Sequence, residues 1–152
     1  MPLSPGQVVK GQYRIERLLG QGGFGAVYYA WDENLDRPCA LKENLEISEK
    51  NRRQFTHEAR ILARLNHPNL PRVTDYFHIP DQGQYLVMDY VDGEDLEQRR
   101  QRLGRPFDEA EALNWIEQVC DALHYLHRQD PPIIHRAIKP AHLRITPPGQ
   151  AM

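Results

Sequence analysis

The chain has 152 residues, of which 40% are hydrophobic and 26% charged, and its formal net charge at pH 7 is -2. This composition is typical of one soluble globular unit, and the nearly neutral charge gives no indication of nucleic-acid binding. No run approaches the roughly 18 apolar residues of a membrane-spanning helix, and the first residues lack the pattern of a signal peptide, so we expect a cytoplasmic chain with no membrane segment.

The first ninety residues have the pattern of strands interrupted by one helix. Alternating apolar residues and β-branched or aromatic runs, bounded by turn-forming residues, indicate the strands. The predicted strands are 13–19, 26–31, 38–42, 73–78 and 84–88. A helix is predicted over 48–65, where Phe55, Leu62 and Leu65 share one face. These elements predict an α+β fold with a five-stranded antiparallel sheet and one helix.

The rest of the chain is predicted to be mainly helical. A helix over 108–126 opens with a capping box of Asp108 and Glu111. Its apolar stripe consists of Leu113, Ile116, Val119, Cys120, Leu123 and Leu126. We place a hinge at 91–95, where an apolar strand gives way to glycine and acid, and therefore expect two lobes, 1–90 and 91–152.

The two cysteines, Cys39 and Cys120, lie far apart in the sequence, each in an apolar segment. This placement favours buried free thiols over a disulfide or a metal site. We therefore expect no cysteine-bound metal.

A glycine-rich segment, Gly20-Gln21-Gly22-Gly23-Phe24-Gly25, separates the first two predicted strands. Glycines let backbone N–H groups approach phosphate oxygens without an intervening Cβ. A dinucleotide-binding fingerprint would need a helix to start within the glycines, whereas a strand is predicted there. The pattern favours a flap over a nucleotide, and the alternative is a tight hairpin whose glycines serve only turn geometry.

Lys42 and Glu58 are the charged residues whose positions point to chemistry. Strand alternation places Ala40 and Lys42 on one face, where the small Ala40 leaves room for a planar base. Glu58 lies between Phe55 and Leu62 on the apolar face of its helix, where burial would be costly without a cationic partner. Lys42 is the predicted partner, and the alternative is a carboxylate at the edge of the stripe that reaches water.

Together these motifs resemble the protein kinase family, in order and spacing over nearly the whole chain. By this resemblance, Gly20 to Gly25 and Val27 cover the ATP phosphates, and Lys42 binds phosphate while paired with Glu58. Met88 corresponds to the gatekeeper residue. Val27 and Ala40 would sandwich adenine, the backbone of Asp89 and Val91 would hydrogen-bond to it, and Asp95 would reach the ribose.

The resemblance extends to the catalytic loop, where Lys139 corresponds to the signature of Ser/Thr kinases and the pattern is closest to bacterial eukaryotic-like Ser/Thr kinases. Two family residues are replaced there. Ala137 stands where the family has its aspartate base, and His142 stands where it has a metal-binding asparagine. Mg²⁺ prefers oxygen ligands, so we predict no metal role for His142 and expect a solvated loop histidine.

The chain also ends before the family's metal-binding Asp-Phe-Gly segment. We therefore expect a kinase-like fold with a truncated helical second lobe that binds ATP and is catalytically impaired, with Mg²⁺ poorly supported. Two alternatives stay open: a fragment of a Ser/Thr kinase that transfers the ATP γ-phosphate to protein, and a non-enzymatic scaffold that binds a protein partner through the exposed helix over 108–126.

Overall fold

The computed structural model describes residues 3–22, 25–45, 48–129 and 144–145. The chain divides into two compact units. The N-terminal unit comprises Met1–Leu65 and Arg72–Tyr90, and the C-terminal unit comprises Asn66–Pro71 and Val91–Met152.

An antiparallel sheet of six strands forms most of the N-terminal unit. The strands are β1 (Val8–Val9), β2 (Tyr13–Gly22), β3 (Gly25–Asp32), β4 (Arg37–Asn44), β5 (Val73–Ile79) and β6 (Gly83–Asp89). Their order in the sheet is β1-β2-β3-β4-β6-β5. The α+β class and the five predicted strands are confirmed, but the predicted strand count is wrong by one. The additional β1 has only two residues, too few to produce a recognisable alternation, and is defined by its pairing with Tyr13 and Arg14.

The two faces of the sheet bury different sets of side chains. Residues that are directly paired across strands share a face, so Tyr28, Leu41 and Val87 lie together on one side. That side carries the main core cluster, formed by Leu3, Val9, Tyr13, Ile15, Ala26, Tyr28, Ala30, Cys39, Leu41, Tyr85 and Val87. The opposite side carries Lys42 and Leu86 and faces the helix of this unit.

Helix α1 (Glu49–Ala63) packs on the second face of the sheet. It begins after Ser48, whose hydroxyl accepts a hydrogen bond from the Asn51 backbone N–H at 3.3 Å. Phe55 and Ala59 are buried against Leu86. The predicted apolar face is therefore only partly confirmed, because Phe55 is buried whereas Leu62 is exposed. The buried row runs from Phe55 to Ala59 at i, i+4 spacing.

A cluster of Lys10, Tyr13 on β2 and Asp75 on β5 joins the two ends of the sheet. The Tyr13 hydroxyl donates to Asp75 Oδ2 at 2.6 Å, and Lys10 Nζ lies 3.0 Å from the same oxygen. Burial alone would raise the pKa of Asp75, but hydrogen bonds from Tyr13 and Lys10 outweigh it and hold this pKa below its usual value. Since β2 and β5 are not neighbours in the sheet, these contacts show that the sheet is curled.

A buried carboxylate, Glu43, lies on the core face beside Tyr28. Glu43 is only 2% exposed, and Tyr28 donates to its Oε1 at 3.4 Å. Its Oε2 has no hydrogen-bond partner among the residues that the structure describes. Burial raises the pKa of Glu43 above its ordinary value of 4.5, because the charged form is poorly solvated there. The core therefore favours the protonated carboxyl group.

Replacing this carboxylate, as Glu43→Gln, is expected to stabilise the protein at neutral pH. A raised folded-state pKa means that the stability contributed by the protonated form is fully present below the unfolded pKa of 4.5 and is lost as pH rises through the folded pKa. Glutamine stays neutral, so we expect a gain of roughly 1 kcal/mol in the free energy of unfolding at pH 7.5. Urea denaturation should show this gain vanish near pH 4. A variant less stable than the wild type at pH 7.5 would contradict the expectation.

The C-terminal unit contains two described helices, α2 (Leu96–Leu103) and α3 (Glu109–His127). Asp95 caps α2 in a capping box with Gln98, and Gly104 ends it with a positive φ of 63°. Two short strands, β7 (Glu94–Asp95) and β8 (Arg144–Ile145), pair with each other. Leu96, Trp115 and Phe107 form a small core cluster. Asn69 Nδ2 donates to Gln118 Oε1 at 2.9 Å, which ties the segment 66–71 to this unit.

Helix α3 begins where predicted, but two predictions about it are wrong. The Asp108 side chain makes no capping hydrogen bond and instead lies 3.6 Å from Arg105. Cys120 is an exposed free thiol and not a buried one. Leu113 and Ile116 are each 57% exposed, which agrees with the expectation of an exposed helix. The helix buries Trp115, Ala122 and Leu126, and of these only Leu126 belongs to the predicted apolar stripe. Cys39 is a buried free thiol, as predicted.

In the parts of the chain that the structure describes, no helix is both long and apolar enough to cross a membrane.

Candidate functional site

The glycine-rich segment lies at the hairpin between β2 and β3. Gly22 pairs with Gly25, and Gly20 pairs with Val27. Because a strand and not a helix follows Gly25, the segment does not have the geometry of a dinucleotide-binding fingerprint, as the sequence predicted. The predicted site residues Gly23 and Phe24 lie outside the described residues.

Two glycines of this hairpin have different surroundings. A Cβ on Gly25 would lie 1.8 Å from the backbone oxygen of Glu43, whereas a Cβ on Gly20 would have no atom within 4 Å. Gly25 is therefore required for the close approach of β3 to β4. The backbone at Gly20 is not covered by other atoms of the protein and is therefore open to a ligand.

A cavity of about 510 Å³ lies between the hairpin, β4 and α1. The predicted site residues that line it are Gly20, Gln21, Gly25, Val27, Lys42 and Glu58. Its remaining wall includes Asn44 on β4 and Asn51, Gln54 and Phe55 on α1. The N-terminal unit thus brings the glycine hairpin, the lysine and the helix glutamate around one space.

The predicted ion pair between Lys42 and Glu58 is not formed in this structure. Both side chains are exposed and line the cavity, but no ion pair within 4.0 Å joins them in the described ranges. The Glu58 carboxylate instead accepts a hydrogen bond from Gln54 Nε2 at 3.4 Å. The physical reason is the rotation of α1, which buries Phe55 and Ala59 and leaves Glu58 beside the buried row. The alternative of a carboxylate that reaches water describes the geometry better.

The residues expected to contact adenine are distributed over both units. Ala40 is buried and paired with the half-buried Met88, on the same face of the sheet as Lys42, and neither lines the cavity. The Asp89 backbone N–H donates to the Arg72 backbone oxygen at 2.9 Å and is therefore already occupied. Val91 and Asp95 belong to the C-terminal unit. The Asp95 carboxylate accepts from the Gln98 backbone N–H at 2.8 Å as the cap of α2.

Three polar residues of the cavity wall, Asn44, Asn51 and Gln54, were not predicted from the sequence. Asn44 Nδ2 donates to Asn51 Oδ1 at 2.8 Å, which joins β4 to the first turn of α1. The sequence contained a signal for two of them. Asn44 follows Lys42 at strand spacing and Gln54 precedes Glu58 at helical spacing, so each shares a face with a predicted site residue.

The catalytic-loop positions Ala137, Lys139 and His142 lie outside the described residues. Within the described ranges, no group of three or more His, Cys, Asp or Glu side chains is arranged to hold a metal ion.

A curled antiparallel sheet with a glycine hairpin, a lysine on the adjoining strand and one packed helix defines the class of protein: an α+β kinase-like fold. Residues 13–150 match the family described as protein kinase domain, and the chain therefore belongs to the protein kinase family. The resemblance predicted from the motifs is confirmed. The family uses ATP and Mg²⁺.

Curated relatives include serine/threonine-protein kinases from bacteria and a yeast kinase. The chain is 38% identical over 152 residues to serine/threonine-protein kinase PknA of Mycobacterium tuberculosis, covering 95% of this chain and 35% of that protein. It is 36% identical over 141 residues to the probable serine/threonine-protein kinase YbdM of Bacillus subtilis, covering 91% and 54%. It is 39% identical over 137 residues to an Aurora kinase of Saccharomyces cerevisiae, covering 88% and 36%.

The chain thus spans about a third to a half of the length of these relatives. These matches support a protein kinase domain of the Ser/Thr type.

Proposed function

We propose that this chain binds ATP, with the phosphates beneath the glycine hairpin and beside Lys42. The observation that carries the proposal is the shared cavity, where the uncovered backbone at Gly20 and the exposed Lys42 ammonium group line one space. Its volume of about 510 Å³ lies within the usual range of small-molecule pockets. Backbone N–H groups and a lysine cation are the donors that phosphate oxygens require.

The same proposal holds that phosphoryl transfer is impaired. Ala137 has no atom that can accept the proton of a substrate hydroxyl, and a positioned acid–base group typically contributes roughly 10²- to 10⁴-fold to rate. His142 offers nitrogen where Mg²⁺ prefers oxygen, so the donors at these positions do not fit the ion. Of the catalytic-loop residues that the family resemblance assigns, Lys139 is retained in the sequence. Because ATP is an intracellular nucleotide, we place this domain in the cytoplasm.

A protein-binding role is the second candidate, and one observation favours it. Leu113 and Ile116 lie three residues apart on α3 and are each 57% exposed, which leaves an apolar surface open to a protein partner. In this alternative nucleotide binding would be incidental. Transfer of the γ-phosphate to protein, suggested by the names of the relatives, is the third candidate, and Ala137 argues against it.

A thermal-shift titration with ATP tests the proposal, with and without Mg²⁺. We expect ATP alone to raise the melting temperature in a concentration-dependent way, because a ligand that binds only the folded state stabilises it, by about 2.7 kcal/mol at 100 times its Kd. Added Mg²⁺ should change this shift little. The absence of any shift under both conditions would contradict ATP binding. Radiolabelled phosphate transfer that Lys42→Met abolishes would show that catalysis is retained.

A further inference from the structure

A chain of buried hydrogen bonds connects β4 and β6 to the start of α1. Asn44 and Gln84 are directly paired in the sheet and only 5% and 4% exposed. Asn44 Nδ2 donates to Gln84 Oε1 at 3.2 Å and to Asn51 Oδ1 at 2.8 Å. The two amides therefore bind each other and the first turn of the helix.

Gln84 continues the network onto the next turn of α1. Its Nε2 donates to the Arg52 backbone oxygen at 3.1 Å and to the Tyr76 hydroxyl at 2.7 Å. The Tyr76 hydroxyl is 2.8 Å from Thr56 Oγ1, and Thr56 in turn donates to the Arg52 oxygen at 2.9 Å. Gln84 Nε2 also lies 3.0 Å from Thr56 Oγ1 as a donor, so Asn44, Gln84, Tyr76 and Thr56 form one branched network with the Arg52 oxygen.

Apolar packing already attaches α1 to the sheet, through Phe55 and Ala59 against Leu86. Such contacts are non-directional and permit the helix to slide or rotate by small amounts. Hydrogen bonds from buried amides depend on distance and angle, and breaking them leaves buried polar groups unsatisfied. The network therefore adds directional restraints on the rotation and axial position of α1 to those of the apolar contacts.

The position of α1 matters because this helix forms one wall of the cavity. Asn51, which Asn44 binds, lines the cavity, and Gln54 and Glu58 line it on the following turns. Gln84 and Thr56 do not line the cavity themselves. Any effect of these two residues on a ligand must therefore act through the groups that they hold, which are α1 and Asn44.

We propose that Gln84, with Asn44 and Thr56, is a positioning residue that sets the place of α1 against β4 and thereby the shape of the nucleotide cavity. This inference rests on the proposed function, since it names residues that control the same site.

The test compares Gln84→Met and Thr56→Val with Tyr13→Phe in the full 152-residue chain. Methionine keeps the length of glutamine and valine keeps the shape of threonine, but each removes bonds of the network. Tyr13→Phe is the matched control, because it removes a partly buried hydrogen bond of the same unit, to Asp75, outside the network and the cavity. Thr56 is only half-buried, so Thr56→Val carries the test if Gln84→Met does not fold.

We expect the ATP dissociation constant of both network variants, measured by titration calorimetry, to rise about tenfold, as happens when the binding-competent arrangement falls to about a tenth of the population. Tyr13→Phe should lower the melting temperature and leave the ATP dissociation constant unchanged. Network variants that bind ATP as the wild type does would overturn the positioning role, while the wild-type titration would still support ATP binding.

Amide hydrogen exchange without nucleotide supplies a second readout that does not depend on ATP. We expect exchange in α1 to be faster by about tenfold in the two network variants, with β3 and β4 unchanged, and no selective effect in Tyr13→Phe. Equal protection of α1 in all four proteins would overturn the inference even if the wild type bound ATP. A wild type that binds no ATP but shows the selective exchange would overturn the proposed function alone, and the positioning of α1 would stand.

Discussion

Gly25→Ala is expected to lower the free energy of unfolding by about 3 kcal/mol, because the new methyl group has no room. Its Cβ would lie 1.8 Å from the backbone oxygen of Glu43 and 2.8 Å from the adjoining carbonyl carbon. Backbone atoms cannot move aside as a flexible side chain does, so β3 and β4 would have to separate at this end of the sheet. Urea denaturation of the wild type and the variant measures the difference.

Gly20→Ala is the matched control on the same hairpin. A Cβ there has no atom within 4 Å, so we expect the free energy of unfolding to stay unchanged or to rise by up to about 1 kcal/mol, through the lower entropy of the unfolded chain. Gly20→Ala should instead lower the affinity for ATP, because Gly20 lines the cavity. Equal loss of stability in both variants would show that turn geometry, and not the contact between β3 and β4, explains these glycines.

The sheet was predictable because its signal is local. Each of the five longer strands carries its own alternation, and the helix over Glu49–Ala63 carries its own cap at Ser48. The two-residue β1 was not predictable, because it exists only through pairing with β2. The side chains that α3 buries were not predictable for a related reason: apolar periodicity locates a stripe, but neighbours in space decide whether Leu113 or Trp115 is covered.

The candidate site shows the same division between local pattern and tertiary placement. The hairpin and Lys42 follow from glycine spacing and strand alternation, and they line one cavity. The ion pair between Lys42 and Glu58 depends on the rotation of a helix against a strand, which no local pattern specifies. Gln84, which binds that helix, is 40 residues from its partner Asn44, so a single sequence gives no sign of their contact.

The largest effect on nucleotide binding is expected from Lys42→Met. Lys42 lies on the strand beside Val27, and its ammonium group is the cation that the cavity presents to phosphate. A hydrogen bond that involves a charged group is worth about 1.5–3 kcal/mol, so losing one should raise the ATP dissociation constant by roughly 10- to 100-fold. Titration calorimetry measures this change, and Lys50→Met, an exposed α1 variant outside the cavity, controls for the loss of one positive charge.

Glu58→Gln tests whether Glu58 holds Lys42 in place during ATP binding. The family resemblance implies such an ion pair, whereas the structure does not contain it. If Glu58 held Lys42 in place, its loss would weaken ATP binding nearly as much as the loss of Lys42 itself. In the structure Glu58 accepts a bond from Gln54 and makes no ion pair with Lys42, so we expect a change of less than about threefold, equivalent to under about 0.7 kcal/mol. A loss comparable to that of Lys42→Met would mean that α1 moves to form the pair when ATP binds. In that case the network around Gln84 would have to release the helix, and ATP should then increase amide exchange at Asn51 and Arg52 relative to the free protein.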